Sequence, residues 1–249
     1  MDIEQSIDIT RKEFEKSFSE SKYYSNQTQD DKHLELILNS LRINGGYRVL
    51  DLGTGSGYLA FPIARRHPNC YVIGLDIVEQ ALSNNRQKAQ EEGLMNISFE
   101  AYDGLVLPFD DSSIDIIVSR YVFHHFPNIE HAFQEMARVL RSGGQLFVSD
   151  PTPNEEDTIG FVDAYMKIKP DGHIKFYRQD EFITLGMGVG LCMNNSFRTE
   201  IRFPRKEAYK YNSLLLQMDK RIREDYNIQI INDEIYITEQ VVNMSFTKN

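Results

Sequence analysis

Between Val49 and Tyr58 an apolar run, Val49-Leu50-Asp51-Leu52, passes through an acid into Gly53-Thr54-Gly55-Ser56-Gly57. The pattern predicts a buried strand, a sharp turn whose backbone can approach a ligand closely, and then a helix. Open α/β sheets bind ligands at such a place, the carboxyl end of a strand. Taken alone, the turn serves equally well as punctuation between strand and helix. Asp51 narrows the choice of ligand. A dinucleotide loop receives an anionic pyrophosphate at the helix N-terminus, and a carboxylate there repels it. A carboxylate suits a cation instead. The spacing Gly53-x-Gly55-x-Gly57 also departs from G-x-G-x-x-G, because Tyr58 stands where close helix–strand packing requires a small residue.

A second apolar strand, Val72-Ile73-Gly74-Leu75, ends in Asp76 at the separation that brings its tip beside the first. Asp76 can accept hydrogen bonds from a ribose diol while Asp51 favours an ammonium group. Together they fit a ligand with a nucleoside at one end, an amino acid at the other and no phosphates. Asp76 also opens Asp76-x-x-Glu79, the form of a capping box, and capping and ligand binding can coexist there.

Strand and helix signals alternate along the chain: strand 47–52, helix 58–66, strand 70–76, helix 79–92, strands 97–102 and 114–120. Asn128 can cap a helix carrying Ile129, Phe133, Met136 and Leu140, which Gly143-Gly144 stops before a strand over 145–150. Segments 197–203 and 235–246 read as further strands. Near the N-terminus Ile3, Ile7, Phe14 and Phe18 share one helical face, followed by Tyr23-Tyr24 and a polar stretch over 25–32. That helix either packs on the core or caps a ligand. Segment 151–178, rich in proline, acids and aromatics, reads as a lid or substrate loop.

The chain of 249 residues, 41% hydrophobic and 26% charged, can bury a sizeable core and lacks the composition of a disordered protein. Its net charge of −10 argues against a general nucleic-acid surface. The late basic cluster Arg198, Arg202, Arg205, Lys206, Lys210, Lys220, Arg221 and Arg223 reads mainly as a solvated helix face. Cys70 and Cys192 stand far apart without ligand-spaced partners, so neither a disulfide framework nor a metal site is expected. With no signal peptide and no membrane-length apolar run, the chain reads as soluble and cytoplasmic.

At the Asp51–Gly57 loop and Asp76 the chain resembles the class I S-adenosylmethionine-dependent methyltransferases, nearest the branch that includes the ubiquinone/menaquinone-biosynthesis enzymes. The likeness continues through Tyr102-Asp103-Gly104, Leu107-Pro108-Phe109, Ile114–Arg120, His124-His125-Phe126 and Arg138-Val139-Leu140-Arg141-Ser142-Gly143-Gly144, and is firm over 47–150. The resemblance implies a Rossmann-like, doubly wound α/β fold. Its seven-stranded sheet is mostly parallel with an antiparallel closing strand, and helices cover both faces. One domain spans 1–249: a helical cap (1–46), a cofactor core (47–150), a lid and helix (151–194) and C-terminal strands with a helix (195–249). S-adenosylmethionine is the implied cofactor, leaving as S-adenosylhomocysteine. Asp51, Gly53, Thr54, Gly55 and Gly57 would surround its methionine part and Asp76 its ribose. Adenine would lie between Ile77 and Leu105, with Asp103 accepting from its amine. Gly104 and Arg120 complete the expected contacts.

Methyl transfer asks for in-line alignment, exclusion of water and, for some acceptors, removal of a proton. His125 is the leading candidate base, with His124, Tyr121, His173 and Tyr177 behind it. The expected function is methyl transfer to the carbon, oxygen or nitrogen of a small-molecule acceptor. A regulatory protein that binds S-adenosylmethionine without turnover is the alternative, and a nicotinamide-dependent oxidoreductase is more distant.

Overall fold

The computed structural model describes residues 2–19, 30–216 and 218–249. Tyr23-Tyr24 and most of the polar stretch over 25–32 lie outside them. The first turn of the sheet follows the apolar pattern closely. Strand β1 (Arg48–Leu52) is buried on both faces beyond its first residue, as a central parallel strand requires. Helix α3 (Ala60–Arg66) follows, preceded by α1 (Ile3–Ser19) and α2 (Asp31–Ser40). Strand β2 (Tyr71–Asp76), helix α4 (Glu79–Glu91), and strands β3 (Ile97–Ala101) and β4 (Ile114–Arg120) complete the first βαβ units.

Asn128 caps helix α5 (Ile129–Val139) through its side-chain oxygen, which accepts from the His131 amide. The helix ends before the two glycines expected to stop it. Leu140 is already extended, and strand β5 (Leu140–Thr152) begins there. Its pairing with β4 jumps from Ile114↔Leu140 to Ile116↔Gln145. Gly143 and Gly144 therefore belong to an irregularity inside the strand rather than to a helix stop. Next come α6 (Phe161–Met166), α7 (Gln179–Gly188) and β6 (Leu191–Lys206). Two short helices, α8 (Asn212–Leu216) and α9 (Lys220–Asp225), lead to β7 (Gln229–Ile231) and β8 (Glu234–Lys248).

One eight-stranded sheet runs in the order β3-β2-β1-β4-β5-β8-β6, with β7 added on β8. The pairs among β3, β2, β1, β4 and β5 are parallel, and β8 pairs antiparallel with β5, β6 and β7. The mostly parallel Rossmann-like sheet expected from the sequence is therefore present, with eight strands rather than seven. The basic run from Arg198 to Lys206 lies on β6, a strand and not a helix face, where its side chains alternate between the two sides.

Two apolar layers enclose the parallel half. On one face Ile37, Phe61, Ile63, Leu82 and Phe147 pack together, and on the other Phe123, Phe133, Met136 and Phe182 do so. A third cluster joins Phe161, Tyr165 and Phe176 of the segment after β5 to Tyr211, Tyr226 and Ile235. That segment is thus packed against the C-terminal elements. Among the described residues no helix is long and apolar enough to cross a membrane.

Phe123 anchors the turn that follows β4. Its ring is fully buried and lies 5.7 Å from Phe126, 5.8 Å from Phe133 and 5.7 Å from Phe182. Phe123→Ala should cost about 3–5 kcal/mol, the usual range for emptying such a site. Calorimetric melting measures this, and a loss below about 1 kcal/mol would show that the layer collapses readily around the gap.

Candidate active site

The glycine loop sits on the ends of β1 and β2 because backbone and side chains both hold it there. The amides of Gly53 and Thr54 donate to the Leu75 carbonyl at 2.8 and 3.0 Å. Gly53 has φ +71°, and a Cβ there would overlap the Val122 side chain. Gly57 has φ +74°, and its Cβ would come within 2.5 Å of Phe61. Both positions therefore require glycine, one for closeness to the β4 turn and the other for closeness of the helix.

The two strand-end acids divide their work differently from the simplest expectation. Asp51 is enclosed beneath the loop, where its Oδ2 accepts from Thr54 Oγ1 at 2.8 Å and from the Ala60 amide at 3.1 Å. Burial lifts its carboxyl to about 7, against the pull of the Thr54 and Ala60 bonds. Asp76 reaches the cleft. Its Oδ2 accepts from the Gly55 amide at 2.8 Å and its Oδ1 from the Val78 amide at 3.0 Å. Burial again raises it above the ordinary carboxylate range. The capping box does not form: Val78 is the N-cap of α4 without a side-chain cap, and Glu79 pairs with Arg86.

A cleft opens over the loop. Gly53, Thr54, Gly55, Asp76, Ile77, Gly104, Arg120, Tyr121, His124 and His125 of the sequence candidates all line it. Asp51, Gly57, Asp103, Leu105, His173 and Tyr177 do not. Asp103 instead closes its own turn, its Oδ1 accepting from the amides of Leu105 and Val106 at 2.8 and 2.9 Å. His173 Nε2 bonds Asp163 Oδ1 at 2.8 Å, away from the cleft wall, and burial pushes the Tyr177 phenol up to about 12.

Arg120 leaves the end of β4 between two aromatic rings, its guanidinium carbon 4.2 Å from the Tyr58 centroid and 3.8 Å from that of Tyr121. The stack fixes a cation beside the glycine loop. Helix α1 covers the opposite side. Ile7, Thr10, Phe14 and Phe18 line the cleft from above, while Gly172 of the post-β5 segment, at φ +81°, lies so close to Thr10 that a Cβ would overlap it.

The turn Phe123–His125 presents two imidazoles. His124 is fastened to Asp150, with Nδ1 at 2.7 Å from Oδ1 and its amide donating to Oδ2 at 3.1 Å. Burial holds His124 at about 3 and lifts Asp150 to about 8, so the pair carries no net charge at neutral pH. His125 lies with its ring edge-to-face on Phe14, centroids 5.2 Å apart. Its Nδ1 is buried and without a hydrogen-bond partner among the described residues. Burial, with His124 adding to it, drives His125 down to about 3. A histidine so placed is neutral throughout the physiological range.

Several cleft residues escaped the sequence reading: Tyr58, Asp171, Phe203, Arg205 and Glu239. Glu239 left a readable trace, a single acid in the alternation Ile235, Ile237, Val241 of a buried strand face. Arg205 was hidden in the basic run.

The family model described as a methyltransferase domain matches residues 43–180. The chain belongs to that family. It is 31% identical over 147 residues to the uncharacterized methyltransferase YcgJ of Bacillus subtilis, covering 59% of this chain and 57% of that protein. It is 37% identical over 115 residues to demethylmenaquinone methyltransferase of Thermus thermophilus, covering 46% and 52%. These matches support the menaquinone-enzyme resemblance, and the chain spans a little over half the length of both curated relatives. The crystal structure of YcgJ superimposes with a TM-score of 0.76 at 22% identity, over 88% of this chain and 99% of that one, a likeness of fold.

The depressed His125 has a measurable consequence. Unfolded, it takes a proton below about pH 6.5; folded, only below about 3, so the folded state loses stability as pH falls through that window. By pH 5 the loss is about 2 kcal/mol for this group. His125→Phe should recover up to that amount, seen as a smaller difference between urea unfolding at pH 7.5 and pH 5. Equal differences in parent and variant would place the His125 pKa near its ordinary value.

Proposed function

We propose that this protein is an S-adenosylmethionine-dependent methyltransferase acting on a small-molecule acceptor. The observation that carries the reading is Asp76, a carboxylate 8% exposed at the tip of β2, opening into the same cleft as the glycine loop. The donor set fits an uncharged diol at one side and an amino acid at the other. Asp76 would accept from the ribose hydroxyls, the loop backbone would pass beside the methionine part, and Arg120 would face its carboxylate. Ile77 and Gly104 would border the adenine, with Asp103 shaping the turn beneath it. Asp51 would act from below by holding Thr54.

When bound, S-adenosylmethionine supplies a methyl group already activated by its sulfonium. What the chain must add is position and dryness. Phe14 and Phe18 of α1 form the cap, and segment 151–178 forms the lid. His125 borders the cleft beside Phe14, where its ring would lie against the methyl acceptor. With its basicity so reduced by burial, it orients a nucleophile better than it deprotonates one. We read the chain as one catalytic domain of the cytoplasm, consistent with its free thiols Cys70 and Cys192.

Asp76→Ala should weaken S-adenosylmethionine by about 1–3 kcal/mol, the worth of hydrogen bonds to a charged acceptor, in calorimetry on a variant that still melts cooperatively. Parental affinity would remove Asp76 from the ribose site. Formation of S-adenosylhomocysteine across an acceptor panel then separates turnover from binding alone. A rate break near pH 6.5 that vanishes in His125→Asn would restore His125 as a general base.

A further inference from the structure

The cleft continues past the histidines to a second polar end, built by strands outside the parallel core. Along β6 the alternate residues Ile201, Phe203 and Arg205 share the cleft face, and Ile201 is directly paired with Glu239 of β8. Strand β6 lies four places from β1 in the sheet, roughly 19 Å at ~4.8 Å per strand. This wall therefore faces a different part of a bound pair of ligands from the part that the glycine loop faces.

Arg205 is the one permanent cation among the described residues lining that end. Its side chain is buried, with the residue 8% exposed. The guanidinium carbon stands 4.9 Å from the Tyr165 ring and 5.9 Å from that of Phe203, and Nη2 contacts Met166 Sδ at 2.6 Å. Stacking holds the planar fork in place, and a fork of this kind recognises a carboxylate through two parallel bonds. Two acids face the same space. Asp171 pairs with Lys169, 3.1 Å away, and is also drawn down by Arg205, and Glu239, 3% exposed, is lifted by burial to about 7 against the pull of Arg205. Apolar side chains of Met166, Phe176 and Phe203 make up the walls, where a low dielectric strengthens any ion pair.

We infer, resting on the methyltransferase reading, that the methyl acceptor carries a carboxylate and that Arg205 binds it at the β6–β8 end of the cleft. Arg205 is then a specificity residue: it fixes which end of an apolar acceptor points away from the cofactor.

The test uses the protein saturated with S-adenosylhomocysteine and titrated with matched acid and amide probes. The pairs are benzoate and benzamide, 4-hydroxybenzoate and 4-hydroxybenzamide, and butyrate and butyramide, followed by calorimetry or ligand-observed NMR. At least one acid should bind about tenfold or more tightly than its amide, and Arg205→Gln should bring that ratio to within about twofold while S-adenosylhomocysteine binds as before. No preference for acid over amide in any pair, or a preference that survives Arg205→Gln, overturns the inference. If Arg205→Gln does not melt cooperatively, the acid-to-amide ratio in the parent protein decides alone. Failure of S-adenosylhomocysteine to bind at all would instead bring down the methyltransferase reading, a result distinct from loss of acid preference.

Discussion

Two carboxylates held out of water fix the glycine loop, and the rest of the cleft is arranged around it. Asp51 ties Thr54 to the start of α3 from below, and Asp76 ties Gly55 to the start of α4 from the side. A buried carboxylate is costly unless it is satisfied by donors, so each acid draws loop amides or hydroxyls toward itself. The loop in turn fixes the approach of Val122, because only glycine at 53 leaves room for that side chain. Val122 leads into the turn carrying His124 and His125. In this way the position of the glycine loop and the position of the imidazoles are one structural decision.

The electrostatics of the cleft change along its length. Near the loop a fixed cation, Arg120, is held between Tyr58 and Tyr121. At the centre the histidines are neutral, because burial outweighs the acids around them. Farther on the cleft is bordered by Arg205 and by Glu239, whose carboxyl burial lifts against the pull of Arg205. A neutral middle between polar ends suits chemistry in which a charged methyl donor meets a nucleophile that water must not reach.

Local signals made the parallel half readable. Apolar runs bounded by Asp51, Asp76 and Asn128 mark where strands end and α5 begins, and Asp76 and Asn128 each satisfy a backbone donor two or three residues on. The glycine loop and Asp76 were legible for the same reason. Long-range contacts left no such mark. The role of Asp51 depends on Ala60 closing over it, and the turn bond of Asp103 competes with any outward contact. Arg205 is buried by Tyr165 and Met166, residues that the chain supplies some forty positions earlier, and a run of basic residues gave no hint of which one turns inward. Gly143-Gly144 misled for a related reason: the bulge against Asp115 uses the same residues as a helix stop.

The place of β8 bears on how the molecule is assembled. It is the last strand in sequence, yet it lies inside the sheet, between β5 and β6. Until it inserts, β5 shows an open edge and β6 has no sheet to join, while the glycine loop rests on β1 and β2 and makes no contact that needs β8. The pairing of β5 with β8 joins residues as distant in sequence as Gln145 and Thr247, the non-local kind of contact that slows folding. During that interval the apolar edge of β5 is a template for pairing with another chain. Association of nascent or heat-stressed molecules would therefore begin at β5, and ligands that hold the second half of the cleft together would slow aggregation more than those that hold the first.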